Sequence, residues 1–284
     1  MTQFAAEDIS DNIAQKRRVS IGTCSLFLQS MRIKILGCSG GVGPGLRTTS
    51  LLVDDEILID AGTGTGDLSL AQMRRIGDVF ITHSHLDHVC GLAFMADNLF
   101  DLIDRPMQIH ATAETLDAIR AHIFNWQIWP DFSKLPNEQN PLLKFLELKP
   151  GVPVTRNNHR LTAFPVLHTV PAVGYTLEAG EGVFVFSGDT YATDLLWTAL
   201  NALPRLDKLM IEVAFTDEDL ELGEKSKHFT PALLGQELKK LKHRPELFLT
   251  HHKPGCEAII EKQCRAALVG WEYHHLSRGD VITI

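Results

Sequence analysis

The densest group of chemically reactive side chains is the segment 82–88, which reads THSHLDH. It places three imidazoles and one carboxylate within six residues, directly after the apolar run 79–81. Because extended residues alternate faces, His83 and His85 are predicted to point the same way. Asp87 and His88, one step into a turn or helix, can reach a neighbouring point. The spacing therefore suits two adjacent metal ions.

The donor types indicate which metals this histidine cluster can hold. Neutral imidazole and carboxylate are ligands that zinc, manganese and iron accept. The five cysteines are scattered and form no CxxC pair, which disfavours a closed thiolate zinc site and implies an open, catalytic one. The alternative is a set of solvated loop histidines or an incidental surface metal trap. Four ligand-type residues directly behind an apolar strand argue against that alternative.

Three later apolar runs offer the remaining ligands where they end. His168 follows the run 164–167, Asp189 follows 185–188, and His251 follows 248–250. Taken alone, His168 also fits an ordinary loop histidine, and Asp189 fits a turn carboxylate that caps the next helix. Their order behind the histidine cluster favours the interpretation as metal ligands.

These residues together resemble the metallo-β-lactamase superfamily, whose HxHxDH motif is followed by a His, an Asp and a His at strand ends. The resemblance spans about residues 31–284. It implies two divalent metal ions, zinc first, with manganese or iron as alternatives. The implied ligands are His83, His85 and His168 for one ion, Asp87, His88 and His251 for the other, and Asp189 as a bridge between them. His251 is preferred to His252 because it comes first after the strand.

Within the superfamily, the motif looks like that of the class II cyclic nucleotide phosphodiesterases, with Leu86 in the variable position and Val-Cys-Gly-Leu after it. The match is partial, since residues 93–97 (AFMAD) depart from that family's signature. The loop 36–41 and residues 48–50 resemble the family's amino-terminal loop and strand. Small residues and hydroxyls can admit phosphate oxygens, so the predicted substrate-binding residues are Ser39, Gly40, Thr49 and Ser50. Ordinary turns are an equal alternative.

A glutamate and a histidine outside the metal set indicate how a leaving group is protonated. Glu212 ends the apolar run 209–211, and His228 follows sixteen residues later at a helix start. Phosphodiesterases of this superfamily use such a pair as a proton donor; the alternative is a helix-start histidine without chemistry.

The resemblance therefore implies hydrolysis of a 3′,5′-cyclic nucleotide, such as cyclic AMP, to the 5′-nucleotide. A hydroxide that bridges the metals attacks phosphorus, and His228, oriented by Glu212, protonates the ribose 3′-oxygen. The predicted catalytic residues are Asp87, Glu212 and His228.

Three other functions stay open at this point. The first is an endoribonuclease that processes tRNA 3′ ends, a related branch with the same metals and the same glutamate–histidine pair. That branch usually has glycine in place of Leu86 and a long basic arm rich in glycine and proline. The second is a hydrolase of a lactone or another ester, which Glu212 and His228 disfavour. The third is an inactive binding module, which the complete set of seven ligands disfavours.

The candidate ligands and catalytic residues can meet only if the strands that carry them end at a common edge of the fold. Apolar runs predict strands at 31–36, 51–53, 57–59, 79–81, 107–110, 161–167, 174–177, 183–186, 208–211 and 247–249. Helical periodicity predicts helices near 68–76, 112–123, 192–202, 231–242 and 256–268. This order favours an α/β fold of two mixed β-sheets flanked by helices, and the resemblance makes it the four-layer αβ/βα sandwich.

One hydrolase domain is expected over residues 31–284. Residues 1–30 are expected to form a poorly ordered amino-terminal extension, with Met31 as an alternative start. Inside the domain, an aromatic segment holds Phe124, Trp126, Trp129 and Phe132. Core packing or a dimer contact is favoured for it over a lid that stacks on a purine.

Composition and charge limit the partners. The 284 residues are 44% hydrophobic, and Lys+Arg 27 against Asp+Glu 35 gives a net charge of −8. This acidic balance favours a small-molecule phosphodiester over nucleic acid as the substrate. No apolar run approaches the roughly 20 residues that cross a bilayer, so no membrane partner is expected. The scattered cysteines favour the cytoplasm. The oligomeric state stays open, with a homodimer as the commonest closed assembly.

Overall fold

A computed structural model describes residues 30–103 and 105–284. In this part of the chain, fourteen strands form two seven-stranded sheets. The predicted amino-terminal extension lies outside the described residues except for Ser30. None of the described helices has the length and apolar character that a membrane crossing requires.

The first sheet combines the beginning of the chain with one late strand. Its members are β1 (Arg32–Gly37), β2 (Ser50–Val53), β3 (Ile57–Ile59), β4 (Asp78–Phe80), β5 (Met107–Ala111), β6 (Leu143–Glu147) and β14 (Val281–Thr283). Their order is β14-β1-β2-β3-β4-β5-β6. The strands from β14 to β3 pair antiparallel, and those from β3 to β6 pair parallel.

The second sheet also has an antiparallel half and a parallel half. Its members are β7 (Val154–Arg156), β8 (His159–Val166), β9 (Ala172–Ala179), β10 (Gly182–Phe186), β11 (Lys208–Glu212), β12 (Glu246–Thr250) and β13 (Tyr273–His275). Their order is β13-β12-β11-β10-β9-β8-β7, antiparallel from β7 to β10 and parallel from β10 to β13. The parallel half of each sheet supplies the strand ends that carry the candidate ligands.

Helices cover the outer faces of the two sheets. They are α1 (Leu70–Met73), α2 (Leu86–Leu99), α3 (Ala113–His122), α4 (Asp194–Asn201), α5 (Leu220–Ser226), α6 (Pro231–Glu237) and α7 (Glu257–Ala267). One buried apolar cluster packs α2 and α3 on the first sheet, and a second packs α4, α6 and α7 on the second sheet. A third cluster, which includes Ile33, Tyr175 and Phe184, fills the space between the sheets. Three apolar layers separate four structural layers, which confirms the predicted α/β sandwich.

Most predicted strands form within one or two residues of their predicted bounds, but several elements differ. Helix α2 is not among the predicted helices, although Val89, Leu92, Ala96 and Leu99 have helical spacing and are buried in it. The helix predicted near 68–76 is limited to α1, because Ser69 caps its start and the backbone N–H groups of Arg75 and Ile76 make turn-type hydrogen bonds to the third residue before them. The helix predicted near 231–242 divides into α6 and a 3₁₀ turn at Leu238–Lys240.

The aromatic segment separates into buried and exposed members. Phe124 and Phe132 are buried in the cluster of the first sheet, whereas Trp126 is 58% exposed. Trp129 is partly buried and meets Phe94 edge to face, with ring centres 5.7 Å apart. Core packing therefore accounts for Phe124 and Phe132.

A polar bridge joins the sheets at the start of β4. Asp78 accepts hydrogen bonds from His110 Nε2 on β5 at 2.7 Å and from Arg156 Nε on β7 at 2.6 Å. Burial raises the pKa of Asp78, but these hydrogen bonds outweigh burial and lower its pKa below the ordinary 3.8. The ionised carboxylate thus contributes stability at neutral pH, and this contribution is lost as the pH falls through the lowered pKa.

Candidate metal centre

The candidate ligands converge where parallel strands of both sheets end. His83 lies three residues beyond β4, Asp189 lies three residues beyond β10, and His251 follows β12 directly. Carboxyl ends of parallel strands meet at one edge of a sheet, and the two such edges face each other here. His251 adopts a left-handed backbone conformation with φ +67°, which is uncommon outside glycine and concentrates at functional sites.

Helix α2 positions the second half of the histidine cluster. His85 is the residue before its first turn, and Asp87 and His88 lie within that turn. The helix start lies against the 61–65 turn because two glycines allow it: a Cβ on Gly62 would meet the Asp87 carbonyl oxygen at 2.2 Å, and one on Gly91 would meet Thr65 Oγ1 at 2.1 Å. Backbone packing therefore fixes the position of Asp87 and His88, in the first turn of α2, relative to His83.

The structure brings His83, His85 and His168 together as one donor group. One nitrogen of each ring lies within 4.8 Å of the others. His168 Nε2 is 3.1 Å from His85 Nδ1, and His168 Nδ1 donates to the Lys227 carbonyl oxygen at 3.1 Å. The three rings are mutually close to perpendicular, with centres 4.7 to 4.9 Å apart.

A second donor group contains Asp87, His88, Asp189 and His251, again with ligand atoms within 4.8 Å of one another. Asp189 Oδ2 lies at its centre, 3.2 Å from His88 Nε2 and 3.3 Å from His251 Nε2. The same oxygen is 3.8 Å from His83 Nε2 of the first group. Asp189 thus lies where a ligand shared by two metals would lie.

A buried carboxylate that the sequence analysis missed orients two of the imidazoles. Asp60, directly after β3, accepts from His88 Nδ1 at 2.7 Å and from Thr82 Oγ1 at 2.8 Å. Since the Thr82 hydroxyl donates to Asp60, it can accept from His83 Nδ1, which is 3.0 Å away. Both rings then carry their hydrogen on Nδ1 and present the Nε2 lone pair to the site. Asp60 has the same sequence feature that identifies Asp189, namely a carboxylate where an apolar strand ends.

The donor atoms fit metal ions. Nε2 of His83, His88 and His251 is buried in each case without a hydrogen-bond partner. Buried polar atoms are rarely left unsatisfied, and three that converge on one carboxylate require a common partner. A divalent cation satisfies neutral imidazoles and carboxylates together, so the residues present suit the metals that this fold implies.

The pKa directions of four proposed ligands agree with this fit, and that of His88 does not. Burial lowers the pKa of His83 and His251 well below the usual value and that of His168 to about 4, so these rings are neutral at pH 7. Burial alone would raise the pKa of Asp189, but the neighbouring His251 and His88 outweigh it and lower that pKa well below 3.8. Neutral rings at His83, His168 and His251 and an ionised Asp189 are the protonation states that metal binding requires. His88 differs: burial lowers its pKa, but the Asp189 and Asp60 carboxylates outweigh burial and raise that pKa well above the usual value, so metal binding there releases a proton.

The predicted proton-donating pair is formed next to both donor groups. His228 Nδ1 is 2.8 Å from Glu212 Oε1, and the His228 ring lies 4.9 Å from that of His168 and 5.2 Å from that of His251. Glu212 is held by the backbone N–H groups of Thr190 and Phe229. Burial lowers the pKa of His228, but the Glu212 carboxylate outweighs it and raises that pKa.

The four predicted substrate-binding residues have different positions. Gly40 lies against His251 and has no room for a side chain, since a Cβ would meet the His251 carbonyl oxygen at 2.5 Å. Thr49 is buried, with its hydroxyl 3.4 Å from His251 Nδ1, and the buried Ser50 hydroxyl donates to the Thr49 carbonyl oxygen. Ser39 lines a separate cavity of about 470 Å³. The geometry favours support of His251 by Gly40 and Thr49.

The neighbouring histidine lies outside both donor groups. His252 Nδ1 donates to the Val213 carbonyl oxygen at 2.7 Å, and its Nε2 is 3.0 Å from His275 Nδ1. His251 therefore stays the predicted ligand.

Replacing Asp60 by asparagine is expected to weaken metal binding about 10- to 100-fold, because His88 and the Thr82–His83 pair lose the charged acceptor that fixes their tautomers. Competition against a chromophoric chelator measures the affinity. Asp131→Asn is the matched control, since Asp131 is also buried and hydrogen-bonded to a hydroxyl, that of Ser133. Equal metal affinity in the Asp60 variant and the wild type would show that Asp60 does not orient the ligands.

Comparisons with known proteins agree with this fold and site. The model of the β-lactamase superfamily domain matches residues 55–252, more than half of the chain. The chain therefore belongs to the metallo-β-lactamase superfamily, and it is a hydrolase.

Within the superfamily, the predicted likeness to class II phosphodiesterases is confirmed. A probable 3′,5′-cyclic-nucleotide phosphodiesterase of Yersinia pestis is 27% identical over 259 residues, which cover 76% of this chain and 74% of that protein. The crystal structure of unliganded yeast PDE1 shares the fold, with a TM-score of 0.76 at 19% identity over 90% of this chain and 99% of that one. A ribonuclease Z of Haloarcula marismortui is 30% identical over 163 residues, covering 54% of this chain and 49% of that protein.

Proposed function

We propose that this enzyme hydrolyses a 3′,5′-cyclic nucleotide, such as cyclic AMP, to the 5′-nucleotide. The observation that carries the proposal is the His228–Glu212 pair at 2.8 Å, placed against His168 and His251 of the two donor groups. A leaving alkoxide needs a proton, whereas metal ligands alone do not provide one. The 27% identity to a probable cyclic-nucleotide phosphodiesterase over most of both chains supports the same substrate class.

The proposed metal ligands are those of the two donor groups. His83, His85 and His168 would hold one divalent ion, Asp87, His88 and His251 would hold the other, and Asp189 would serve both; zinc is our first choice, with manganese or iron as alternatives. When bound, such ions would supply a hydroxide nucleophile at neutral pH and neutralise charge on the phosphoryl oxygens. The Asp87 side chain is 30% exposed and lies at the open side of the site.

The chain's own residues perform the proton transfer. Because His228 Nδ1 faces Glu212, Nε2 is the atom that gives its hydrogen to the departing ribose 3′-oxygen. Glu212 stabilises the protonated ring before transfer and keeps the imidazole plane fixed through its hydrogen bonds to the backbone. Release of the 3′-oxygen leaves the phosphate on the 5′-carbon, so the product from cyclic AMP is 5′-AMP.

The decisive experiment is chromatographic identification of the product that metal-reconstituted protein forms from cyclic AMP. Asp87→Ala tests for contaminating activity, and Asp117→Ala, an exposed aspartate on α3, is the matched control that should retain turnover. Formation of 5′-AMP that disappears only in the Asp87 variant supports the proposal. No turnover in a sample shown to hold metal contradicts it, and cleavage of precursor tRNA by that sample would then favour the endoribonuclease.

The cellular location we propose is the cytoplasm. The thiols of Cys38, Cys90, Cys256 and Cys264 form no disulfide within the described part of the chain, as expected in a reducing compartment.

A further inference from the structure

Lys253 carries a positive charge beside the metal centre that the proposed mechanism does not use. Its Nζ donates to the Gly40 carbonyl oxygen at 2.8 Å and lies 5.8 Å from the centre of the Phe215 ring. The residue is half-buried. Across residues 30–103 and 105–284, no carboxylate oxygen comes within 4 Å of this ammonium, whereas the half-buried Lys208 pairs with Glu246 at 2.6 Å.

Lys253 packs close to the proposed metal ligand His251 and to the phenyl ring that lies beside His228. The position of a Cβ on Gly40 is 3.1 Å from His251 Cδ2 and 3.2 Å from Lys253 Cδ, so the loop, the ligand and the lysine pack together. The Phe215 ring under the ammonium is 5.7 Å from the His228 ring.

The structure gives the Lys253 ammonium one hydrogen-bond acceptor within the described residues, the Gly40 carbonyl oxygen. An ammonium group has three hydrogens, and the Gly40 carbonyl accepts one of them. The remaining hydrogens can donate to an anion from outside the chain, which would gain charge-assisted hydrogen bonds there. The carbonyl and the ring hold the side chain in place before that anion arrives, which reduces the entropy lost on binding.

We infer that Lys253 forms an anion subsite that receives a negatively charged phosphoryl oxygen of the substrate at the edge of the metal centre. The inference rests on the proposed function in taking the substrate to be a phosphodiester. It adds a determinant of substrate class: an anionic diester gains a charge-assisted hydrogen bond from Lys253, and an uncharged ester does not.

The test compares Lys253→Met, Lys253→Arg and Lys208→Met with the wild-type enzyme, all loaded with metal. Lys208 is the matched control because it also lies over a phenyl ring, that of Phe248 at 5.2 Å, but away from the donor groups. Kinetics use bis(p-nitrophenyl) phosphate as an anionic diester and p-nitrophenyl acetate as an uncharged ester. Calorimetric titration with inorganic phosphate measures anion affinity without catalysis.

For Lys253→Met we expect a loss of about 10- to 100-fold in kcat/KM for the diester, mainly through KM, and a loss of at least about tenfold in phosphate affinity. Hydrolysis of the uncharged ester should be unchanged, Lys253→Arg should recover part of the loss, and Lys208→Met should behave as the wild type. Wild-type phosphate affinity in Lys253→Met would overturn the inference. An equal loss on both esters would also overturn it, because Lys253 would then act by supporting His251.

The two proposals can fail separately. If the wild type does not hydrolyse cyclic AMP but Lys253→Met weakens phosphate binding, the cyclic nucleotide assignment fails and the anion subsite stands. If the wild type hydrolyses cyclic AMP and phosphate affinity is the same in Lys253→Met, the assignment stands and the subsite fails. If neither p-nitrophenyl ester is hydrolysed, the phosphate titration alone decides the subsite.

Discussion

Asp189→Ala is expected to lower turnover by on the order of 10³-fold and to remove at least one metal ion per chain. The reason is the position of Oδ2, which lies 3.2 to 3.8 Å from three imidazole nitrogens belonging to both donor groups. No other carboxylate in residues 30–103 or 105–284 approaches all three nitrogens. Without Asp189, two divalent cations would lie close together with only Asp87 as an anionic ligand, which electrostatic repulsion opposes.

Metal content by elemental analysis and kcat on the same sample measure the two effects. Asp194→Ala is the control, because Asp194 lies at the start of α4 with its side chain 87% exposed. It should keep wild-type metal content and turnover. An Asp189 variant that retains both metals and most of its turnover would refute the shared-ligand assignment.

His228→Ala is expected to lower kcat for a cyclic nucleotide by about 10² to 10⁴-fold while metal content stays at the wild-type level. The imidazole is not needed to hold metal in the proposed ligand set, but a ribose alkoxide is a poor leaving group without a proton. For a diester with a nitrophenolate leaving group, the loss should be far smaller because that anion departs unprotonated. The contrast between the two substrates separates proton donation from a structural effect.

A matched control for this variant is His159→Ala. His159 is also a buried histidine paired with a carboxylate, Asp54 at 2.9 Å, but it lies at the start of β8. It should leave the ratio of the two activities unchanged. If His228→Ala slows both substrates equally, or loses metal, the proton-donor role must be abandoned, and His228 would be better described as a ligand with His168 and Asp189.

The ligand positions were predictable from the sequence because each rests on a local rule. An imidazole or carboxylate at the exit of an apolar strand can be recognised without knowledge of the fold, and the family resemblance supplied the grouping into two sets. Asp60 follows the same rule but escaped notice, since β3 has only three residues and a single carboxylate after it resembles a turn. Its role becomes visible only through contacts with Thr82 and His88, which lie 22 and 28 residues away.

The strands that escaped prediction have a common physical character. Each lies at the edge of a sheet, where pairing with a neighbour rather than apolar periodicity defines it; they are β6, β7, β13 and β14. Lys253 was missed for a related reason: nothing in the sequence tells that a lysine lacks a carboxylate partner. Such properties belong to tertiary contacts, and local patterns do not contain them.

The pairing of β1 with β14 has a consequence for how the molecule reaches this state. Arg32 lies opposite Thr283, and the proposed ligands extend from His83 to His251, so the first sheet and the metal centre both depend on chain segments very distant in sequence. Closing such long loops costs entropy before any contact compensates for it, and topologies of this kind fold slowly. A partly folded chain holds the local histidine cluster but lacks Asp189 and His251 at the correct distance. We therefore expect the metal centre to form late in folding, when the two sheets join.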